Sequence, residues 1–388
     1  MKRKSDISRL MEAATAATGL DDFGPGEFRA GAALLMDDAA RSGANAAGMA
    51  RLDARVGRQL ENRLRVQEDR RRHAEIAAQE IVAPIVIMGL PRSGTTFLHS
   101  LLAQDPRLRS PLQWEVSRPS PPPREDSFAS DPRIRQARAE MAGDGETQRL
   151  HMQDAELPVE CGPVAAAEFM NTGNFAFWDA PRYLARVMGG DGRGPVAASY
   201  AWHRRMLQQL QAFTRPARWV LKSPQHVANL GELLDSYPDA TLVFTHRDPI
   251  ETIPSLASLV SHFRASCYDR PDEAAIGADV LALWSTAMGR CMVLRAANPA
   301  IASKCIDVSY RDLLADPVAA AARILDRSGL ASDAERPRLE AFAAANRQDR
   351  YQARHGRHNY SAARFGLTAE LIAERFAEYR ETFAGAMA

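Results

Sequence analysis

Apolar positions follow two distinct spacings along the chain. Leu52, Val56, Leu60 and Leu64 recur every four residues within a highly charged stretch, which predicts an amphipathic helix. Its narrow stripe suits packing on a main domain, with a homodimer or partner surface as the alternative. The basic run Arg70 to His73 splays around such a helix and reads as a solvated face. At Ile81 the pattern changes to a continuous apolar run ending at Leu90, the signature of a strand buried on both faces at the centre of a parallel sheet. Residues 1–80 are therefore a helical extension and 81–388 an α/β domain. Helical spacing resumes at Phe97 to Ala103, so the turn Gly89 to Thr96 joins a strand to a helix start.

Arg118 to Asp126 holds three consecutive prolines, which fit neither helix interior nor central strand, and reads as extended loop. Helices are expected near 131–150 and 197–213. Strands are expected at Arg218 to Lys222, Ala240 to His246 and Ile301 to Val308. Strands alternating with helices predict a three-layer α/β fold with a mainly parallel sheet. No internal repeat or linker divides the core.

Length and composition agree with that picture. The chain has 388 residues, 46% hydrophobic and 25% charged, which is enough to bury a large core. The formal charge of +1 argues against broad binding to nucleic acid or anionic membranes, so any anion must be held locally. The basic start lacks a following apolar segment, and the longest apolar stretch is far short of the ~20 residues a bilayer span requires. The chain reads as soluble and cytoplasmic. Cys161, Cys267, Cys291 and Cys305 form no CxxC pair, which fits reduced thiols and gives no zinc pattern.

The informative segment is Gly89-Leu-Pro-Arg-Ser-Gly-Thr-Thr96. Two glycines around a strand-to-helix turn let backbone N–H groups converge at the positive end of a helix dipole, a geometry that binds phosphate. The Walker A pattern places lysine before its Ser/Thr; Thr95 stands there instead, and the cation comes earlier, at Arg92. A P-loop kinase or nucleotidase reading loses its lysine. A non-catalytic nucleotide-binding or assembly module is the other alternative.

Pro91 to Phe97 resembles the 5′-phosphosulfate loop of the sulfotransferases that use 3′-phosphoadenosine 5′-phosphosulfate (PAPS). Thr245 to Ser255, with Arg247 at a strand end and Ser255 eight residues later, is similar to the 3′-phosphate element of that family. Val220 to Pro224 and Val308 to Pro317, which contains Tyr310, match two further elements in family order. The resemblance covers about residues 81–365 and is closest to the bacterial and protein-tyrosine sulfotransferase branches. It implies a five-stranded P-loop-like fold, PAPS as donor, no metal, and a hydroxyl acceptor; the aromatic residues between the proline loop and Lys222 suggest an apolar or aromatic one, with lipid, phenol, carbohydrate and, last, peptide acceptors open.

The resemblance also implies residue roles. Arg92, Ser93, Gly94, Thr95 and Thr96 surround the phosphosulfate with backbone and hydroxyl donors. Lys222 reaches the sulfuryl group, Arg247 and Ser255 hold the 3′-phosphate, and Tyr310 and Phe97 lie near adenine. For Arg247 the plain alternative is a pair with Asp248 or Glu251; for Phe97 it is core packing. Glu115, after Trp114, is the first choice of proton acceptor, with burial expected to raise its pKa and Lys222 to offset that. His226 and His151 are alternatives, since Pro224 occupies the place of the histidine used by cytosolic relatives. Arg357 and His358 belong to a segment resembling one that closes over the nucleotide, but the Arg-Lys-Gly of cytosolic relatives is missing there and an exposed basic loop is the plainer reading. His151, Glu156, Glu160, Phe169, Phe175, Phe177, Trp178 and Tyr183 are candidates for lining an acceptor pocket, although each aromatic by itself is more often a core residue.

Overall fold

A computed structural model describes residues 6–141, 154–189, 195–215, 217–346 and 361–387. Five parallel strands, β1 (Ile85–Gly89), β2 (Leu108–Arg109), β3 (Arg218–Lys222), β4 (Thr241–His246) and β5 (Cys305–Ser309), form one sheet in the order β2-β3-β1-β4-β5. β1 lies at the centre, as its unbroken apolar run requires, and all five of its residues are buried. Strand β2 had no individual signal in the sequence because two residues are too few to show a period.

Side chains alternate across the sheet and split the core in two. Val86, Met88, Leu221, Leu242 and Phe244 face one layer, built from the helices Pro195–Gln211, Pro249–Ala265 and Glu273–Ala297. Ile85, Ile87, Val220, Val243 and Ile306 face the other, with the helices Thr95–Leu102, Pro317–Arg327 and Arg336–Ala345. The result is the three-layer α/β arrangement expected.

The helices Ile7–Thr18, Phe28–Arg41 and Ala46–Arg72 pack on the first of these layers. Leu52, Val56, Leu60 and Leu64 are buried in the same core as Trp202. Arg63, on the same helix, is fully buried and donates to Glu168 Oε1 at 2.8 Å and to the Phe23 carbonyl at 2.6 Å, with the Phe28 and Trp202 rings over its guanidinium. Of the basic run, Arg71 and Arg72 pair with Glu68 while Arg70 reaches Gln208 at 3.0 Å.

Arg133 holds the proline loop by donating to the carbonyls of Arg118 (2.8 Å) and Pro121 (2.6 Å). The helix expected over 131–150 is seen as Pro132–Met141, the residues after 141 lying outside those described. All four cysteines are free and buried. Among the described residues no helix is long and apolar enough to cross a membrane.

Candidate functional site

The strand registers Ile87 with Lys222, Gly89 with Thr245 and His246 with Ser309 align the carboxyl ends of β3, β1, β4 and β5. In open parallel sheets ligands bind at this edge. The turn after β1 has two obligatory glycines. Gly89 has φ +145 and a Cβ there would come within 2.5 Å of the Thr245 carbonyl; Gly94 has φ +88 and its Cβ would meet the Tyr310 ring at 2.9 Å. As at every helix start, the first N–H groups of Thr95–Leu102 have no intrahelical acceptor.

Arg92 adopts the left-handed region, φ +70, which is strained for a side chain with a Cβ. Two contacts hold it there: Arg247 Nη1 donates to the Arg92 carbonyl at 2.9 Å, and Arg92 Nε donates to Ser255 Oγ at 3.3 Å. The turn after β1 and the arginine and serine after β4, distant in sequence, are thus in direct contact. The guanidinium of Arg247 lies 4.3 Å from the Tyr310 ring centroid, and its Nε and Nη2 both bind Glu251 Oε2, at 2.9 and 2.7 Å.

The Ser93 hydroxyl departs from expectation. It donates to the Leu90 carbonyl at 2.6 Å and meets Thr245 Oγ1 at 2.6 Å, so it braces the turn from inside and leaves only the main-chain N–H for a ligand. Thr95 is buried at the helix start, whereas Thr96 Oγ1 accepts from Lys222 Nζ at 3.2 Å.

Lys222 ends β3 with 2% of its surface exposed, and Nζ also donates to Glu160 Oε1 at 2.5 Å. A buried ammonium requires such a counter-charge. Glu160 directly precedes the short helix Cys161–Val164. Near this pair lies His99, whose Nε2 donates to the Val220 carbonyl at 3.1 Å; burial, reinforced by the Lys222 charge, pushes its pKa down to about 3 and keeps it neutral. Burial pushes the Cys161 thiol up to about 12.

Glu115 lies elsewhere in its contacts. It is fully buried, Oε1 is ion-paired with Arg109, and Oε2 accepts from the Leu112 N–H at 3.0 Å. Burial raises its pKa as expected, but the offsetting cation is Arg109 rather than Lys222. Both oxygens are engaged in holding β2 to the turn that follows it. His226 is also buried. Its Nδ1 meets Tyr200 Oη at 2.7 Å, burial pushes it down to about 3, and no hydrogen bond joins it to Lys222 or Glu160.

Phe97 is half-buried and packs on Phe342, with centroids 6.2 Å apart, against the core under the turn. Phe169, Phe175, Trp178 and Tyr183 are buried beside the N-terminal helices, and Phe177 packs against that core and stacks on Phe263. The Tyr183 hydroxyl is taken up by Asn171 and Asn174. This cluster is core rather than pocket lining. Glu156 is exposed and paired with Arg138. His151, Arg357 and His358 lie outside the described residues. A cavity of about 420 Å³ opens between the segment Val227–Leu230, Met188, Val196 and Leu294. Among the described residues no three His, Cys, Asp or Glu side chains gather as metal ligands.

Residues 84–334 match the model of the sulfotransferase family. The chain is 30% identical to sulfotransferase STF1 of Mycobacterium tuberculosis, with TM-score 0.85 over 97% of this chain and all of that one. It is 26% identical to sulfotransferase STF9 of Mycobacterium avium, with TM-score 0.87 over 99% and 98%. It is also 24% identical over 278 residues to the omega-hydroxy-beta-dihydromenaquinone-9 sulfotransferase Stf3 of Mycobacterium bovis, covering 69% of each chain.

Proposed function

The chain belongs to the sulfotransferase family, and on that premise we propose that it moves the sulfuryl group of PAPS to the hydroxyl of an apolar or aromatic small molecule. The observation that carries this reading is the convergence of Arg92, Lys222 and Arg247 at the carboxyl ends of three adjacent strands, with Arg247 and Ser255 touching Arg92 directly. A donor with anionic groups at both ends of one nucleoside suits cations arranged in that way.

The first-turn N–H groups and Arg92 would hold the 5′-phosphosulfate, while Arg247 and Ser255 would hold the 3′-phosphate. PAPS supplies an activated sulfuryl group when bound. The chain contributes position and charge: Lys222 faces the transferring group, and Arg92 with the turn's N–H groups stabilises negative charge on the departing phosphate. A hydroxyl acceptor also requires a group to take its proton.

An apolar acceptor is supported by the menaquinone derivative in the name of the Mycobacterium bovis relative. The cavity beside Val227–Leu230 has apolar wall from Val187, Met188, Val196, Val227 and Leu294, and Arg186, Glu232 and Arg290 also line it. A cytoplasmic location accords with a PAPS-using enzyme.

Thermal unfolding with adenosine 3′,5′-bisphosphate (PAP), AMP, ADP and ATP with magnesium tests the donor. A ligand at 100 times its Kd adds about 2.7 kcal/mol, a rise of a few degrees in Tm. PAP alone should stabilise, and Arg247→Ala should abolish the shift. Preferential stabilisation by ATP with magnesium would overturn the reading in favour of a kinase.

A further inference from the structure

We infer that Glu160 is the catalytic proton acceptor and that Glu115 is a positioning residue that delivers it. The inference rests on the sulfotransferase reading above. Glu160 is the carboxylate in contact with Lys222, 2.5 Å from Nζ, and Lys222 is also bound to Thr96 of the phosphate turn. A hydroxyl oxygen approaching sulfur beside Lys222 therefore has Glu160 within reach. As the helix-preceding residue, Glu160 makes no side-chain cap to its own helix, which leaves its carboxylate turned to the lysine.

Glu160 sits on a segment with no regular structure of its own, and cross-chain hydrogen bonds place it. Gln113 N–H donates to the Leu157 carbonyl (3.2 Å), Trp114 N–H to Ala155 (3.0 Å), and Val159 N–H to Pro111 (2.8 Å). Leu112 and Pro158 form the bridge between the two stretches. Glu115 fixes the receiving side: it caps the Leu112 N–H and pairs with Arg109, which itself donates to the Leu210 carbonyl (2.7 Å) and Thr214 Oγ1 (2.6 Å). The residue after Val159 is Glu160. Buried Glu115 thus acts on the chemistry through three main-chain hydrogen bonds.

In the step itself an O–S bond forms from the acceptor oxygen to sulfur. The S–O bond to the 5′-phosphate breaks with its electron pair on the departing phosphate oxygen, and the acceptor proton moves to Glu160. Lys222, released from Glu160, turns to the sulfonate oxygens. Titratable groups around Glu160 include Lys222 on β3, His99 on the helix after the turn, and Cys161 beside it.

The test compares Glu160→Gln, Glu160→Asp and Glu115→Gln in the full chain. Readouts are transfer from labelled PAPS to 2-naphthol, single-turnover hydrolysis of bound PAPS where water is the acceptor, and Kd for PAP. Glu160→Gln should lower both rates about 10²–10⁴-fold, abolish the acid limb of the pH–rate profile, and leave the Kd for PAP within a few-fold. Glu160→Asp should restore part of the rate and the acid limb. Glu115→Gln should lower Tm and reduce the rate roughly ten- to a hundredfold with the pH profile unchanged in shape. Wild-type rate and profile in Glu160→Gln, or loss of the acid limb in Glu115→Gln alone, would overturn the inference. Absence of PAP binding in the wild type would instead sink the sulfotransferase donor reading, a separate failure.

Discussion

Arg247 donates Nη1 to the main-chain carbonyl of Arg92 across 2.9 Å, so a side chain at the end of β4 holds the left-handed residue of the turn after β1. The same guanidinium spends its Nε and Nη2 on Glu251, one turn along the helix it precedes. On the proposed reading, Glu251 therefore occupies an edge of Arg247 that the 3′-phosphate would need.

Removing that competitor should improve nucleotide binding. Exposed pairs of this kind are worth about 0.2–1 kcal/mol, so Glu251→Gln should tighten PAP binding by roughly 1.5- to 5-fold, read by calorimetry. Weaker binding by this variant would show that Glu251 orients Arg247 for the phosphate rather than shielding it.

Gly94→Ala should damage both stability and binding. Its φ of +88 disfavours any Cβ, and the added atom would meet the Tyr310 ring at 2.9 Å. We expect a loss of at least about 1 kcal/mol and no PAP-induced rise in Tm. A normal PAP response in this variant would mean that the turn is not the nucleotide cradle.

Acid should destabilise the fold through buried histidines. Burial holds His99, His203 and His226 near pKa 3, well below the unfolded value. Below pH 6.5 the unfolded chain takes up protons that the folded chain refuses, so stability is complete above that pH and is lost as pH falls toward 3. Each histidine contributes up to about 1.4 kcal/mol per pH unit in this window. Denaturant melts at pH 4.5, 5.5 and 7 should show the loss, and His203→Gln should flatten it; an unchanged slope would count against a neutral buried His203.

Of the ion pairs that tie the N-terminal helices to the main domain, Arg63–Glu168 is buried on both sides and should matter most. Glu168→Gln leaves Arg63 charged, buried and short of its carboxylate, and should cost about 3–5 kcal/mol in global stability. A drop below 1 kcal/mol in chemical denaturation would show that the main-chain acceptors Phe23 and Ala167 suffice for Arg63.

Features whose cause is local can be read directly from the order of residues. An unbroken apolar run specifies a central strand, two glycines specify the turn that follows, and β3 and β4 announce themselves by their apolar residues, so the positions of the turn after β1, of Lys222 and of Arg247 at strand ends were legible with their order in the chain. The amphipathic stripe from Leu52 to Leu64 was legible for the same reason.

Tertiary structure alone decided which carboxylate meets the lysine. Glu115 and Glu160 are both glutamates among apolar neighbours, and no local period distinguishes them; pairing of Pro111–Gln113 with Leu157–Val159 turns one toward Arg109 and the other toward Lys222. It also turned the Ser93 hydroxyl inward, sent Phe169, Phe175, Trp178 and Tyr183 into the core with Phe97 half-buried against it, and set Glu251 on Arg247. Each of these depends on what lies across from a side chain in space, and hydrophobic pattern records only whether a position is buried, not which partner buries it.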